Sequence, residues 1–557
     1  MRPAETLNNQ NQARKGLTAQ ERKVIIASSA GTVFEFYDFF LIGLLAAEMA
    51  SAFFSGLSPT AGYIFTLLGF AAGFVLRPFG AIVFGRLGDL VGRKYTFLIT
   101  IVIMGVGTFA VGLLPTYATA GIIAPILFIS MRLLQGLALG GEFSGAVIYV
   151  AEHSPNRDRG AWTSWIMMTA ALGLILAVIV IVPLRLSLGP VAFKEWGWRV
   201  PYLASILLLG LSVWIRMSLT ESPEFKRMKS EGKLSKAPIA EAFGQWKNLK
   251  LMAVALLGIV PGQAVVWYTG QFYTMFFLGK ILKVEDLTVN ILVVIATILS
   301  VPLYYFFGWL SDRIGRKPVY LAGLLLASLF FIPLFKQLAH YANPALEAAI
   351  AKAPVTVVAD PAECSFQFNP TGTKKFTSSC DIVKSTLAKS GLNYETKAGA
   401  TGSRAEVHIG TTVIAGYSGA ETNAAGAGIA FDKQLAQALL DNGYPAGKAA
   451  AEQVDKVMVV CILLLLLTFG TMTFAPMSAM LVELFPSRIR FTAMSFPYHM
   501  GVAIFGGFLP AAAFAIVAST GLIYSGIWYP IGVALFSFVT VLLFAKEKSG
   551  SDIYREN

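Results

Sequence analysis

Long apolar segments recur along the whole chain, separated by short polar connections. A helix needs about 20 apolar residues to cross the hydrocarbon of a bilayer, and the chain offers twelve such segments. They lie near residues 24–50, 61–84, 96–115, 121–150, 161–187, 200–219, 251–279, 287–308, 318–338, 456–481, 491–520 and 526–545. Because lipid cannot hydrogen-bond the backbone, only helices and closed barrels span a membrane. The segments predict an all-α integral membrane protein with two sets of six transmembrane helices.

The composition excludes an ordinary soluble protein. Hydrophobic residues make up 55% of the 557 residues and charged residues 14%, whereas soluble proteins have about 25% charged residues. The formal net charge of +12 comes from basic residues in the short connections, and no basic stripe with interleaved aromatic residues is present. We therefore expect a lipid bilayer around the chain and no nucleic-acid partner.

The distribution of Lys and Arg orients the helices. With the amino terminus inside, the cytoplasmic connections carry 18 basic residues, eight of them from Arg216 to Lys250. The short external connections carry five, which are Arg185, Lys194, Arg199, Lys280 and Lys283. The positive-inside rule therefore places both termini in the cytoplasm. Residues 1–23 are polar and basic and show no cleavable signal peptide, so we expect a tail on the inner face of a bacterial inner membrane.

A ten-residue motif occurs twice, each time between two apolar segments. Gly85-Arg-Leu-Gly-Asp-Leu-Val-Gly-Arg-Lys94 returns as Gly308-Trp-Leu-Ser-Asp-Arg-Ile-Gly-Arg-Lys317, at an offset of 308 − 85 = 223 residues. Internal duplication of a membrane unit is typical of secondary transporters. A second pair, Glu152–Arg159 and Glu483–Arg490, shares Glu-x-x-Pro-x-Arg-x-Arg at an offset of 483 − 152 = 331. The difference of 108 residues indicates an insertion in the second half.

The two repeats divide the chain into domains. We predict a cytoplasmic tail, an amino-terminal six-helix half, a cytoplasmic linker, a carboxyl-terminal six-helix half interrupted by an external insertion, and a second cytoplasmic tail. The boundaries are 1–23, 24–219, 220–250, 251–338 with 456–545, 340–455 for the insertion, and 546–557.

The insertion has the pattern of a small α+β domain between the ninth and tenth helices. Residues Val407–Tyr417 alternate like a strand, and Asp432–Lys456 have the periodicity of a helix. Cys364 and Cys380 lie close together in this external segment, where an oxidising compartment would favour a disulfide. The alternative is a pair of free thiols in a loop.

Together these motifs resemble the major facilitator superfamily. Three further stretches are similar to its metabolite:proton symporter branch, which includes α-ketoglutarate, citrate, shikimate and proline/betaine permeases. They are Gly31-Thr-Val-Phe-Glu-Phe-Tyr-Asp-Phe-Phe40, Arg132-Leu-Leu-Gln-Gly-Leu-Ala-Leu-Gly-Gly-Glu142 and Trp267-Tyr-Thr-Gly-Gln-Phe-Tyr273. The resemblance covers about 24–338 and 456–545 and implies a monomeric twelve-helix transporter. The insertion departs from it, so the resemblance assigns the insertion no role.

Ionisable residues within membrane helices are functional candidates because they are costly to bury. At about 1.5 Å of rise per residue, Asp38 and Arg132 both lie near the midplane, and Glu35, Arg77 and Glu142 lie nearer the cytoplasm. We assign the proton to Asp38 and Glu35, with Glu142 as an alternative. The substrate carboxylate is assigned to Arg132, with Arg77 as a second cation. The alternative is a set of structural ion pairs that lock helices together.

Three residues of the seventh helix recur on one face at i, i+4 and i+8: Gln263, Trp267 and Gln271. Polar side chains beside an indole suit a substrate cavity, although helix–helix hydrogen bonding explains the pattern equally well. We also assign Tyr37 to substrate binding. Tyr498 and His499 are weaker candidates.

The duplicated motif is interpreted as a cytoplasmic gate rather than a substrate site. Its aspartates can cap a helix end and pair with a nearby Arg, and its glycines permit close approach of helices. The alternative is that the basic residues only orient the chain. The gate residues are Gly85, Asp89, Arg93, Gly308, Asp312 and Arg316.

The expected function is secondary active import of a small organic acid or zwitterion by proton symport. No cofactor or metal is expected, because the proton gradient supplies the energy. No nucleophile–base pair, metal cluster or phosphate loop indicates an enzyme. The alternatives are an uncoupled facilitator of the same solutes and, in a different class, a membrane sensor that uses the external insertion.

Overall fold

The computed structural model describes residues 19–56, 59–365, 376–449 and 451–550. Most of the two predicted tails, 1–18 and 551–557, lies outside the described residues. Twelve long helices, labelled α1–α12 in chain order, form the membrane part of the described chain. Those of the amino-terminal half are Ala19–Leu44, Pro59–Leu90, Arg93–Leu113, Ile123–His153, Arg159–Ala192 and Arg199–Met217. Those of the carboxyl-terminal half are Trp246–Ile281, Asp286–Ile314, Arg316–Ala342, Lys456–Leu484, Arg490–Val517 and Trp528–Phe544.

These helices confirm the predicted twelve-helix architecture. Within the described part of the chain, eleven are long and apolar enough to cross a membrane, and α2 is a helix of 32 residues. After α1 the chain continues as a short helix, Ala46–Phe53. The linker between the halves forms two short helices, Pro223–Ser230 and Pro238–Gly244.

The two halves pack through equivalent helices. The second helix of each half packs against the fifth helix of the other half. These contacts join α2 to α11 and α8 to α5. Glycines of the duplicated motif allow this approach. A Cβ on Gly85 would lie 2.9 Å from the Cα of Thr492, and one on Gly308 would lie 2.6 Å from the carbonyl oxygen of Gly160. The duplication in the sequence is therefore a duplication of the interface.

Helix α7 is not a regular α-helix. Three of its turns are π-helical: Ala255–Ile259, Thr269–Tyr273 and Phe277–Ile281. A π turn closes i→i+5 hydrogen bonds, and such turns occur frequently at functional sites. Each one rotates the following residues relative to a 3.6-residue repeat. The face predicted from i, i+4 spacing therefore does not continue through Thr269–Tyr273.

The insertion forms a separate α+β lobe with its own hydrophobic core. Its strands are β1 (Val355–Ala359), β2 (Tyr394–Ala398), β3 (Glu406–Ile409) and β4 (Thr412–Ala415), in the sheet order β2-β1-β3-β4. Strands β1 and β2 are parallel, and the other neighbours are antiparallel. The helices are Pro344–Lys352, Ser379–Lys389 and Ala424–Asp441.

The structure corrects two details of the predicted insertion. The alternation over Val407–Tyr417 is a hairpin of β3 and β4, because Gly410 turns the chain at φ +56°. The predicted helix Asp432–Lys456 ends at Asp441, where Gly443 has φ +84°. That helix begins earlier than predicted, at Ala424, where Asn423 caps it.

A disulfide joins Cys364 to Cys380, with 5.2 Å between their Cα atoms. The lobe is anchored to the carboxyl-terminal half by backbone hydrogen bonds. The N–H of Asp455 donates to the carbonyl of Tyr341 at 3.0 Å, so the lobe begins and ends at the same place. The N–H of Tyr394 donates to the carbonyl of Gly521 at 2.8 Å, which fixes the lobe to the connection between α11 and α12.

Candidate functional site

A closed cavity lies between the two halves, lined by α1, α2, α4, α7, α10 and α11. We call it the substrate cavity. Its volume is about 30 Å³, and one buried water requires about 10–15 Å³ by the same measure. The cavity therefore has room for about two waters, and a metabolite can enter only when the halves move.

Four polar side chains that line this cavity have buried atoms without a hydrogen-bond partner. They are Glu35 Oε2, Arg77 Nε, Gln263 Oε1 and both ring nitrogens of His499. A buried polar atom without a partner costs about 1–3 kcal/mol, so native proteins rarely retain several in one place. Their convergence marks the cavity as the best candidate for a ligand site. Glu35, Arg77 and Gln263 are sequence-predicted site residues, and His499 is a stronger candidate than the sequence indicated.

Aromatic rings form much of the cavity wall and hold its polar groups in place. The Arg77 guanidinium carbon lies 4.0 Å from the ring centroid of Phe74. Tyr498 stacks on Phe143 with 4.3 Å between centroids. Trp267 donates its indole N–H to the hydroxyl of Tyr304 at 3.0 Å. Rings packed in this way have little rotamer freedom, so the cavity is pre-shaped.

Asp38 and Arg132 form a buried ion pair inside the amino-terminal half. Arg132 Nη2 lies 3.3 Å from Asp38 Oδ1, and Gln135 Nε2 donates to the same carboxylate at 3.2 Å. The prediction that these two groups meet agrees with this geometry. The structure does not place Arg132 in the substrate cavity, however, and the cation there is Arg77. Depth along a helix was readable from the sequence, but the direction of each side chain was not.

Glu142 has a partner that the sequence analysis missed. Arg216 Nη2 lies 2.8 Å from Glu142 Oε1, and both side chains are fully buried. The guanidinium is held between the ring of Phe97, whose centroid lies 3.5 Å from the Arg216 guanidinium carbon, and the backbone of Gly31. Arg216 was counted with the cytoplasmic connection. The residue lies in the last turn of α6, and its charge is paired with that of Glu142 inside the bundle.

Besides Arg132, two more predicted substrate residues lie outside the substrate cavity. The Tyr37 hydroxyl donates to the carbonyl of Pro201 at 2.8 Å, so it faces α6. Gln271 lies in a π turn, and its amide donates to the hydroxyl of Thr297 at 3.4 Å. Gln271 thus makes a hydrogen bond between helices, which was the alternative to substrate binding. Gln263 and Trp267 line the cavity.

The first copy of the duplicated motif joins the two halves across α2 and α11, at one end of the bundle. The Asp89 carboxylate accepts hydrogen bonds from the backbone N–H groups of Phe491 at 3.3 Å and Thr492 at 2.9 Å, in the first turn of α11. Arg93 lies 3.7 Å from both Asp89 and Glu152. Arg490 of the other half also pairs with Glu152, at 3.1 Å.

The second copy repeats this arrangement across α8 and α5. The Asp312 carboxylate accepts from the N–H groups of Gly160 at 2.8 Å and Ala161 at 2.7 Å, and Asp312 pairs with Arg316. Glu483 pairs with Arg159 at 2.8 Å and with Arg316 at 3.2 Å. Each half therefore caps a helix of the other, and the two halves are in contact at the end of the bundle that carries the duplicated motif. The Glu/Pro/Arg repeat supplies half of the charged side chains in this network.

A third repeated carboxylate caps α3 and α9. Glu221, after α6, accepts from the N–H of Arg93 at 3.1 Å. Glu547, after α12, accepts from the N–H of Lys317 at 2.8 Å. Sequence analysis missed this pair because the surrounding residues differ.

The linker adds an ionisable group beneath the same network. Glu224 is buried, and Arg227 lies 3.0 Å from its carboxylate. Burial raises the pKa of Glu224, the Arg227 charge opposes that rise, and the nearby Glu152 carboxylate adds to it. Arg488 of the carboxyl-terminal half pairs with Glu241 of the linker at 2.5 Å.

Comparison with known proteins identifies the family. The model of the sugar (and other) transporter family matches residues 23–358, well over half of the chain. The chain belongs to this family of the major facilitator superfamily. It accordingly belongs to a family whose members are membrane transporters.

Two curated relatives show what members of the family do. The proline/betaine transporter of Salmonella typhimurium is 35% identical over 327 residues, which cover 56% of this chain and 64% of the relative. The shikimate transporter of Escherichia coli is 32% identical over 325 residues, which cover 58% of this chain and 73% of the relative. The chain thus matches less than two thirds of the length of the proline/betaine transporter.

Solved structures show the same fold. A double-tryptophan variant of the xylose transporter XylE superposes with a TM-score of 0.65 at 14% identity, covering 97% of this chain and 98% of that chain. A partially occluded, inward-open XylE from E. coli gives a TM-score of 0.56 at 13% identity, with 96% and 100% covered. The superpositions with this fold thus extend over nearly the whole chain.

Proposed function

We propose that this transporter imports a small carboxylate-bearing metabolite by proton symport through alternating access. The observation that carries the proposal is the substrate cavity, where Glu35, Arg77, Gln263 and His499 present unpaired polar atoms. The buried Asp38–Arg132 pair next to it supports the proton coupling. We place the protein in a bacterial inner membrane as a monomer with both termini in the cytoplasm.

The groups in the cavity favour a solute with an anionic end and a hydrogen-bond-donating end. Arg77 suits a carboxylate, because a guanidinium binds planar anions well. Glu35 Oε2 and Gln263 Oε1 are acceptors, so they require N–H or O–H groups on the solute. A zwitterionic amine or a hydroxylated acid meets both requirements. Proline and shikimate, for which two family relatives are named, fall within these two classes, whereas a betaine has no N–H group and meets only the first requirement.

Proton coupling follows from the ion pair. While Asp38 is ionised, it neutralises the Arg132 guanidinium at 3.3 Å. When Asp38 takes a proton, Arg132 loses its counter-ion, and a buried unpaired charge is costly. That cost favours a rearrangement of α1 against α4, the helices that carry the two residues. A proton on Asp38 and a change in the substrate cavity are therefore linked, since Glu35 lies one turn away on α1.

Alternating access is supported by the closed gate. The contacts of Asp89 and Asp312 must break for the cytoplasmic side to open, because each carboxylate binds a helix of the opposite half. Rocking of two repeat-related halves about a central site is the usual transport mechanism of such folds.

The experiment is an uptake panel in proteoliposomes of the full-length protein with an imposed inward proton gradient. The panel compares glycine betaine, proline, shikimate and α-ketoglutarate. We expect uptake of at least one solute above its external concentration, and collapse of this accumulation when a protonophore is added. If the internal solute concentration only reaches the external one, with or without the proton gradient, the protein is an uncoupled facilitator. Absence of uptake for the whole panel would contradict the proposed substrate class.

A further inference from the structure

A second set of buried polar groups lies inside the amino-terminal half, and of its members only Glu35 also lines the substrate cavity. On α1, Ser28, Thr32 and Glu35 recur at i, i+4 and i+7 and therefore share one face. On α6, Ser205, Ser212 and Arg216 recur at i, i+7 and i+11 and also share one face. All six side chains are buried, and α1 packs against α6. We call these six residues the polar column.

Asp38 lies next to one end of the column. A small cavity of about 20 Å³ lies between α1, α3 and α6, and Asp38, Glu35, Thr108 and Ser205 line it. That volume suffices for one water. Asp38 does not line the substrate cavity, whereas Glu35 lines both cavities. Glu35 is thus placed to respond both to a bound solute and to the proton on Asp38.

Towards the cytoplasm, two hydroxyls of the column, Ser28 Oγ and Ser212 Oγ, are buried without a hydrogen-bond partner. Glu142 Oε2, beside the column, is also buried without one. Arg216 binds Glu142 at 2.8 Å, and its guanidinium reaches up to Gly31 of α1. A hydroxyl can donate and accept at once, so it can pass a proton on. Four apolar or aromatic residues, Val24, Ala27, Tyr149 and Leu219, pack at the cytoplasmic end of the column.

We propose that the coupling proton crosses the inner half of the membrane along this polar column, and not through the substrate cavity. The proposal rests on the proton symport proposed above. Asp38 gives up its proton and becomes the carboxylate that pairs with Arg132, and the Glu35 carboxylate receives the proton and becomes neutral. Glu35 then passes this proton to the hydroxyls of the column and is a carboxylate again. Each hydroxyl gains a proton on one side as it loses one on the other, and one proton leaves to cytoplasmic water.

The apolar cluster explains why the route does not leak. In this structure the cytoplasmic gate is closed, and Tyr149 and Leu219 close the column at the same end. A continuous proton wire open to both sides would dissipate the gradient. We therefore expect the column to connect to the cytoplasm only when the cytoplasmic gate opens.

Ser212 offers a test with matched variants. Ser212→Val and Ser212→Thr introduce side chains of nearly the same shape, but only Ser212→Thr keeps the hydroxyl. Gly210→Val adds a side chain on the same helix where no atom lies within 4 Å, so it controls for the change in apolar volume. Full-length proteins are compared in proteoliposomes with an internal pH dye, using the panel solute that the unaltered protein takes up fastest.

We expect Ser212→Val to lower solute-driven proton uptake about tenfold or more, since proton relay by a positioned side chain contributes at least that much. Solute exchange at equal concentrations, which needs no net proton movement, should remain. Ser212→Thr should keep solute-driven proton uptake, and Gly210→Val should take up protons at the rate of the unaltered protein.

Two results would overturn the polar column. If Ser212→Val moves protons at the unaltered rate, the hydroxyl is not on the path. If Ser212→Val and Ser212→Thr lose proton uptake equally, Ser212 acts through packing alone. Failure of proton symport itself is a different result, because then the unaltered protein would take up solute without any proton.

Discussion

Arg77 and Arg132 show how much depends on the surroundings of a single residue. Both are arginines within transmembrane helices. Arg132 is held by Asp38 and Gln135, whereas Arg77 lies over aromatic rings with its Nε unpaired at the substrate cavity. In the proposed mechanism, Arg132 loses its partner when Asp38 gains a proton. In the same mechanism, Arg77 binds the carboxylate of the solute.

We predict that Arg77→Gln raises the KM for a carboxylate solute. A hydrogen bond to a charged group contributes about 1.5–3 kcal/mol, which corresponds to roughly 10- to 100-fold in KM. Arg77→Lys keeps the charge but loses the planar fork, so its KM should lie in between. The measurement is initial uptake rate against solute concentration. An unchanged KM in Arg77→Gln would remove Arg77 from substrate binding.

We predict that Asp38→Asn separates exchange from accumulation. Asparagine has nearly the same shape as aspartate but does not take up a proton, so the halves can still move while the gradient no longer drives them. Counterflow of labelled solute should persist, and inside and outside concentrations should equalise under an inward proton gradient. The control is Glu48→Gln, which alters an external ion pair with Arg185. Intact uphill uptake in Asp38→Asn would exclude Asp38 from coupling.

At the scale of helices, the sequence revealed the positions of α1–α12 because apolar length and polar connections fix them. It could not reveal the π turns of α7, since a π turn depends on packing against neighbours and leaves no fixed residue pattern. Gln271 was therefore assigned to a face that the helix does not keep. Likewise, Arg216 lies near the cytoplasmic end of α6, and only the fold shows that its long side chain turns inward to Glu142.

The gate helices carry a prediction of their own. Asp312 caps the first turn of α5 and pairs with Arg316, and capping and charge at a helix start contribute about 1–2 kcal/mol. Asp312→Ala should therefore shift the population towards the cytoplasm-open state by roughly 5- to 30-fold. The readout is modification of Val502→Cys in the substrate cavity by a thiol reagent added from the cytoplasmic side, in a Cys461→Ser background.

A neighbouring carboxylate supplies the control for that experiment. Asp158 stands at the N-cap of α5 but makes no side-chain capping bond, so Asp158→Ala should leave the modification rate unchanged. Equal rates in Asp312→Ala and the unaltered protein would show that the motif orients the chain without acting as a gate.

At the scale of the whole molecule, the repeats account for the arrangement of the two halves. Asp89 on α2 caps α11, and Asp312 on α8 caps α5, so both copies of the motif are needed. The aspartates and glycines of the motif predicted such contacts. The external lobe is different. Its position and approximate size followed from the unequal offsets, but its sheet order and its anchoring to Gly521 depend on long-range packing that no local pattern encodes.

We predict that the lobe is not required for transport. Its ends meet at Tyr341 and Asp455, and its anchoring bonds run to the carboxyl-terminal half, so it moves with that half. Replacing residues 345–450 by a short Gly/Ser linker should leave the initial rate of solute uptake close to that of the unaltered protein. Loss of uptake by a deletion protein that remains monodisperse in detergent would instead assign the lobe a part in transport or sensing.

The central claim is that solute and proton move together, and solute-driven proton movement tests it most directly. Proteoliposomes of the unaltered protein hold a pH dye, start with equal pH on both sides, and receive an inward gradient of the transported solute. The account predicts that the interior acidifies as solute enters and that Asp38→Asn abolishes this acidification. Entry of solute at constant internal pH would contradict proton symport and leave a facilitator.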